Sequence, residues 1–138
     1  EIIPSVMEFQ HLWCLANQCG HVPGLAQENH GIQRILAHWN DIPNLCGGVI
    51  EVCGHIAAYT IGELAYDMIA VHFEKASLEY NAAYQVINKE FLEHKLKQDP
   101  ALVIANREED MNDPGLREAK MSYLPTGFIK KYHVKVSL

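Results

Sequence analysis

The stretch from Met68 to Leu96 reads MIAVHFEKASLEYNAAYQVINKEFLEHKL, and its hydrophobic period changes partway along. Met68-Ile69-Ala70-Val71-His72-Phe73 is rich in β-branched and aromatic residues and reads as a strand up to Lys75. A regular strand puts Ile69, Val71 and Phe73 on one face and Met68, Ala70, His72 and Glu74 on the other. From Tyr80 the period lengthens to that of a helix, with Tyr80, Tyr84, Ile87 and Phe91 in one stripe, Leu92 at its margin, and Lys89, Glu90, Glu93 and Lys97 elsewhere. Strand, loop and helix make half of a crossover. Ala101-Leu102-Val103-Ile104-Ala105 supplies the second strand, so the two strands should run parallel with a right-handed connection.

Working outward, Leu45 to Glu63 reads as two antiparallel strands about a tight turn at Cys53-Gly54-His55, where Gly54 can take a positive φ. Two helices precede it. The first starts at Ser5 as N-cap, with Glu8 in the capping-box position, runs through Ala16 and ends by Gly20. The second covers Gln27 to Asn40, burying Ile32, Ile35, Leu36 and Trp39, with Pro43 as its stop. Glu1 to Pro4 reads as the tail of a preceding segment. Towards the C-terminus, Asp113 caps a short helix with Pro114 at its first position and Tyr123 near its end, and Phe128 to Val136 closes as one or two strands. The order ααβββαβαβ describes a mixed sheet with helices on its faces, an α+β architecture.

The chain has 138 residues, 49% hydrophobic, which suits one compact domain. A net charge of −6 argues against a broad nucleic-acid footprint, although Lys120, Lys130, Lys131 and Lys135 make the C-terminal end basic. No apolar run approaches the roughly 20 residues that span a bilayer. Cys14, Cys19, Cys46 and Cys53 are expected as reduced, mostly buried thiols of a cytoplasmic protein. The alternative, a metal held by Cys14, Cys19 and His21, matches no standard ligand spacing, so no metal is expected.

Several motifs carry a family resemblance. They are His72-Phe73-Glu74-Lys75-Ala76, Tyr80, Ala83-Tyr84-Gln85, Ile87-Asn88, Asn106-Arg107-Glu108-Glu109-Asp110, Gly115-Leu116-Arg117, Ala119-Lys120 and Ser122-Tyr123-Leu124-Pro125. Together they resemble the bacterial family named for the C-terminal domain of phosphatidylglycerol lysyltransferase, most specifically from Gly47 to Lys131. The element order is similar to the GCN5-related N-acetyltransferase (GNAT) fold without its first strand. The resemblance implies that residues 1–138 form one GNAT-like domain, the C-terminal half of a tandem protein with a GNAT-like N-terminal half as partner. It implies transfer of an acyl or aminoacyl group, from acyl-CoA or aminoacyl-tRNA, to an amine or hydroxyl acceptor. The alternative is a non-catalytic module that binds or scaffolds the N-terminal half. The sheet edge left by the missing strand predicts a homodimer or a partner strand.

In that fold the two parallel strands diverge, and the opening receives the donor. His72 to Lys75 and Asn106 to Asp110 would border it. Glu74 or His72 is the candidate proton acceptor from the attacking amine; otherwise Glu74 and Lys75 form surface pairs and His72 is a satisfied sheet histidine. Arg107 suits a carboxylate or phosphate fork and Asn106 a donor carbonyl; alternatively Arg107 pins its loop through Glu108, Glu109 or Glu74. The resemblance makes Tyr123 the candidate proton donor to the leaving group, with Arg117 and Lys120 nearby on one helix face as phosphate contacts or as solvated charges. Gln85 and Asn88 are candidate substrate-facing groups, whereas Tyr84 reads as core. One departure stands out: the turn Glu74 to Ala82 has no glycine and two acids, which disfavours a pyrophosphate at the next helix and so favours an aminoacyl donor or an unknown acyl donor over acetyl-CoA.

Overall fold

The structure, a computed structural model, describes residues 1–136. Its sheet grows from two hairpins whose turns contain only two residues. Strands β1 (Leu45–Val52) and β2 (His55–Ala65) meet at Cys53 and Gly54, both at positive φ (+52° and +81°), the twist that joins antiparallel strands tightly. Strand β3 (Met68–Ala76) returns antiparallel to β2 after Tyr66-Asp67, and the short β4 (Ile104–Asn106) lies parallel to β3, giving the order β1-β2-β3-β4. The fold is thus a mixed-sheet α+β architecture. Strand β4 starts later than its apolar run suggests, because the N–H groups of Val103 and Ile104 both turn to the Asp67 carbonyl.

Helices α1 (Ile3–Ala16) and α2 (Pro23–Ala37) cover one face, packing Val6, Ile32 and Leu36 on Tyr59 and Ile61. Helix α3 (Ala83–Gln98) covers the other, where Phe91 meets Cys46, Ile69 and Val71, and Ile87 meets Ala58 and Ala76. Three helix boundaries differ from expectation. α1 already begins at Ile3, since proline is at home in a first turn, so Ser5 lies inside the helix rather than at its cap. For the same reason α2 begins at Pro23; it stops at Ala37, leaving Trp39 in a separate 3-10 turn, Trp39–Asp41. α3 begins at Ala83, because residues 77–82 turn and Ala82 adopts φ +62°, a left-handed conformation outside the helix. Tyr80 is therefore not part of its stripe.

Two further corrections follow from backbone geometry. The β2–β3 ladder pairs Ile61 with Phe73 but Gly62 with Val71, so His72 is an extra residue in β3. Such a bulge resets the side-chain alternation. Ile69 and Val71 face α3 while Phe73 packs with the α1/α2 core, contrary to the single face expected for all three. The other correction concerns sulfur. Cys14 and Cys19, brought together by the end of α1 and the 3-10 turn Cys19–His21, form a disulfide with Cα atoms 5.1 Å apart. Only Cys46, buried, and Cys53, exposed, are free thiols. No cluster of three metal-ligating side chains exists among the described residues, and no helix among them is long and apolar enough to cross a membrane.

The elements above belong to a compact unit, Glu1–Glu108. A second unit, Glu109–Leu138, contains α4 (Pro114–Met121), whose first turn is closed by Asp113 Oδ1 accepting the Leu116 N–H at 2.8 Å. The strands expected from Phe128 to Val136 do not form: among the described residues that segment has no ladder neighbour, and without one a strand's backbone groups stay with solvent.

Candidate functional site

Strands β3 and β4 share only three paired positions, Met68 with Ile104, Ile69 with Ala105 and Ala70 with Asn106. Beyond them β3 continues to Ala76 with no ladder partner on that side among the described residues. Its free half is bounded by the loop after β4 and by α3, and polar side chains gather where the strands separate.

Glu74 is the centre of that gathering. Its Oε1 accepts from Arg107 Nη2 at 2.8 Å and its Oε2 from Asn88 Nδ2 at 2.6 Å. The Glu74 side chain is 8% exposed and that of Arg107 23%, so the pair feels less solvent screening than a surface pair. Asn88 is buried on α3, one residue from the apolar stripe, and this explains a polar group in that layer. His72 contacts Glu108 through Nδ1 at 3.2 Å and Glu63 through Nε2 at 3.3 Å. The bulge turns its ring towards Glu63 of β2, and the ring centroids of His72 and Phe73 lie 6.3 Å apart. Asn106 accepts the Glu108 N–H at 2.9 Å through Oδ1, which folds the loop and holds Glu108 at φ +57°. Gln85, on the first turn of α3, is exposed and stands apart from this cluster.

Lys75 leaves β3 on the opposite face. It is 6% exposed, lies 2.6 Å from Glu28 Oε2, and sits 4.4 Å from the centre of the Trp13 ring. Glu74 and Lys75 are therefore not surface pairs. Trp13 Nε1 also donates to the Ala76 carbonyl at 3.2 Å, so α1 and α2 are both tied to the end of the free strand. Behind them the Tyr59 hydroxyl donates to Gln10 Oε1 at 2.7 Å and Gln10 Nε2 donates to Asn29 Oδ1 at 3.0 Å. Burial, with a smaller push from Glu28, raises Tyr59 far above the ordinary tyrosine range, so it remains a phenol. Burial also raises Tyr84, whose hydroxyl approaches Ala76 and Trp13.

The structure thus brings His72, Glu74, Asn88, Asn106 and Arg107 to one end of the β3–β4 divergence. Arg117, Lys120 and Tyr123 lie in the Glu109–Leu138 unit, where Arg117 Nη2 donates to Asp110 Oδ1 at 3.2 Å and Lys120 donates to the Glu109 carbonyl at 2.7 Å. Sequence reasoning missed Trp13, Glu28 and Glu63. A lysine within a run of strand formers signals a buried counter-charge, but only the folded chain shows that α2 supplies it.

Comparisons with known proteins bear on the family and the fold. A family model described as phosphatidylglycerol lysyltransferase, C-terminal, matches residues 1–135. A conserved protein of unknown function from Bacteroides thetaiotaomicron is 34% identical with a TM-score of 0.81, and the match covers 91% of this chain but 42% of that one. A possible acetyltransferase from Clostridium difficile 630 is 13% identical with a TM-score of 0.60, over 99% of this chain and 93% of its own. Aminoglycoside N-acetyltransferase AAC(6')-Iy, bound to a bisubstrate analogue containing CoA, is 8% identical with a TM-score of 0.59, over 98% and 92%. The last two likenesses show a shared GNAT fold. No curated protein matches the chain.

Proposed function

This chain belongs to the phosphatidylglycerol lysyltransferase C-terminal family and has an acyltransferase-like GNAT fold, and from that premise we propose that it transfers an acyl group, preferably an aminoacyl group, to an amine or hydroxyl. The observation that carries the reading is the three-residue β3–β4 pairing followed by a free strand edge with Glu74, Asn88 and Arg107 at its mouth. Between Val71 and Ala76 β3 is paired with β2 on one side, and the alternate backbone N–H groups that point to the other side suit the carbonyls of an extended donor, much as an added strand would be held. The acceptor's nitrogen or oxygen forms a bond to the donor carbonyl carbon, the bond from that carbon to the leaving oxygen or sulfur breaks, and the acceptor's proton passes to a base.

His72 is the better placed of the two proton acceptors. In the resting structure both Glu74 oxygens and both His72 ring nitrogens are engaged, so either group must release a partner before it accepts a proton, and His72, whose side chain is 25% exposed, is the more accessible to an acceptor. Glu74 then positions Arg107 and Asn88, and Arg107 and Asn106 form the side that meets the donor. Tyr123 keeps the role of proton donor to the leaving group that the family likeness implies. Arg117, Lys120 and Gln85 remain proposed substrate contacts. Donor choice follows from residues 77–82, where Glu79 is exposed and no glycine permits close backbone approach. A CoA pyrophosphate would meet like charge there, and an aminoacyl-tRNA carries its acyl group without one.

The chain spans less than half of its Bacteroides relative. An N-terminal GNAT-like half is accordingly part of the proposal, and a scaffolding role towards that half is the second reading, favoured by the same glycine-free turn. Thermal-shift titration with aminoacyl-tRNA, acyl-CoA and free amino acids tests both. A rise in melting temperature with a donor, lost in Arg107→Met, supports transfer. No response to any donor, with stabilisation only by the N-terminal half, supports the scaffold.

A further inference from the structure

Thr60 of β2 is 1% exposed, and its enclosed hydroxyl oxygen has no hydrogen-bond partner among the described residues. Such a hydroxyl is desolvated with nothing in the resting fold to offset the loss, and valine would fill the same shape without it. The strand register supplies a reason for the oxygen. Tyr59 and Ile61, on either side of Thr60, pack towards α1 and α2, so Thr60 faces α3. There a Cβ on Gly48 would lie 3.3 Å from the Phe91 ring and 3.7 Å from the Thr60 methyl. Across the β2–β3 ladder Thr60 is paired with Glu74. Directly opposed residues hold their Cβ atoms about 4.5–5.5 Å apart, within the reach of a glutamate side chain.

We propose that Thr60 is the reserve hydrogen-bond donor of Glu74, a positioning residue that takes over Oε1 when Arg107 leaves it. At rest Arg107 Nη2 lies 2.8 Å from Oε1 and Asn88 Nδ2 lies 2.6 Å from Oε2, and the Glu74 side chain is 8% exposed. The use of the reserve rests on the transfer reading above. As Arg107 turns from Glu74 to a donor, Oε1 would be stranded in a buried layer, and a buried carboxylate stripped of its partner is costly. A threonine hydroxyl re-aims its hydrogen at an acceptor in reach without moving a strand. The bond left unmade in the resting protein thus eases the release of Arg107, while Asn88 keeps Oε2 in place.

A double-mutant cycle in melting temperature tests the pairing without any donor. Thr60→Val should leave the unmodified protein as stable or slightly more so, yet lower the melting temperature of Arg107→Met by about 4 °C or more. Thr60→Ser, which keeps the hydroxyl, should shift both backgrounds alike. Arg107→Gln replaces Arg107→Met should that variant not fold. Binding of a non-hydrolysable aminoacyl-tRNA analogue and of an acyl-CoA shows the use: a donor should bind Thr60→Val about tenfold more weakly and Thr60→Ser as the unmodified protein. A Thr60→Val that destabilises the unmodified protein overturns the proposal, because the hydroxyl then already has a partner such as a bound water. Equal effects of Thr60→Val in the two backgrounds overturn it, and so does undiminished donor binding by that variant. A non-additive cycle in a protein that binds neither donor upholds Thr60 as the partner of Glu74 and sinks the transfer reading instead.

Discussion

Glu74 and Lys75 are neighbours in sequence, leave β3 on opposite faces, and each ends in an ion pair whose strand partner is 8% exposed at the side chain. Their partners separate their roles. Lys75 reaches Glu28 on α2 and the Trp13 ring on α1, so its pair fastens a helical layer to the sheet. Glu74 reaches Arg107 beyond β4 and Asn88 on α3, so its pair spans the place where the two parallel strands part. Burial and charge alone do not mark a functional group; what distinguishes the two sites is whether the partners border an opening or a packed layer. The Lys75 face should therefore govern stability, and the Glu74 face ligand response.

The largest effect should come from Glu28→Ala, which leaves the Lys75 ammonium buried without its carboxylate. Chemical denaturation should show a loss of up to about 3–5 kcal/mol, while any donor-induced rise in melting temperature persists. Loss of the donor response in this variant would erase the distinction between the two faces. Next is Gly62→Ala. A Cβ there would lie 2.7 Å from the Ala70 carbonyl oxygen, forcing β2 and β3 apart beside the bulge at a cost of about 1–3 kcal/mol.

Glu74→Gln, Arg107→Met and Tyr123→Phe should each lower transfer by about tenfold or more, equivalent to about 1.4 kcal/mol in the transition state. Three variants with unchanged turnover would remove these assignments. The smallest effect belongs to an exposed pair far from either face. Arg117 first, and the Asn112 N–H second, hold the Asp110 carboxyl at about 2 against its ordinary 3.8. Since the folded value lies below the unfolded one, the stabilisation is complete above 3.8 and fades as pH falls towards 2. Amide signals of residues 109–121 followed by NMR should report local loosening in that window, earlier in high salt; loosening centred above it would contradict the pairing.

Much of the architecture could be read from the chain because it is encoded locally. Alternation gave the strands, Gly54 gave the hairpin, and Asp113-Pro114 gave the start of α4. What escaped depends on relations between distant residues. The bulge at His72 is set by pairing with Ile61 and Gly62, and it moved Phe73 to the other face without any mark in the local pattern. The Cys14–Cys19 bridge depends on where α1 stops, which Asn17 settles by closing back on the Trp13 carbonyl before Gly20 is reached. Of the polar site, His72, Glu74, Asn88, Asn106 and Arg107 were singled out from sequence. Of their mutual contacts the Arg107–Glu74 pair was among the alternatives read from sequence, and the others were not, because each joins residues at least 14 positions apart or depends on a loop conformation.

The claim on which the rest depends is that an acyl donor lies along the unpaired half of β3. Hydrogen exchange of the Val71 to Ala76 amides, with and without a non-hydrolysable aminoacyl-tRNA analogue, addresses it directly. Slowed exchange, on donor addition, at the alternate amides of that stretch that point away from β2, abolished in Arg107→Met, is the expected result. Unchanged exchange there, with protection appearing elsewhere or nowhere, would contradict the account.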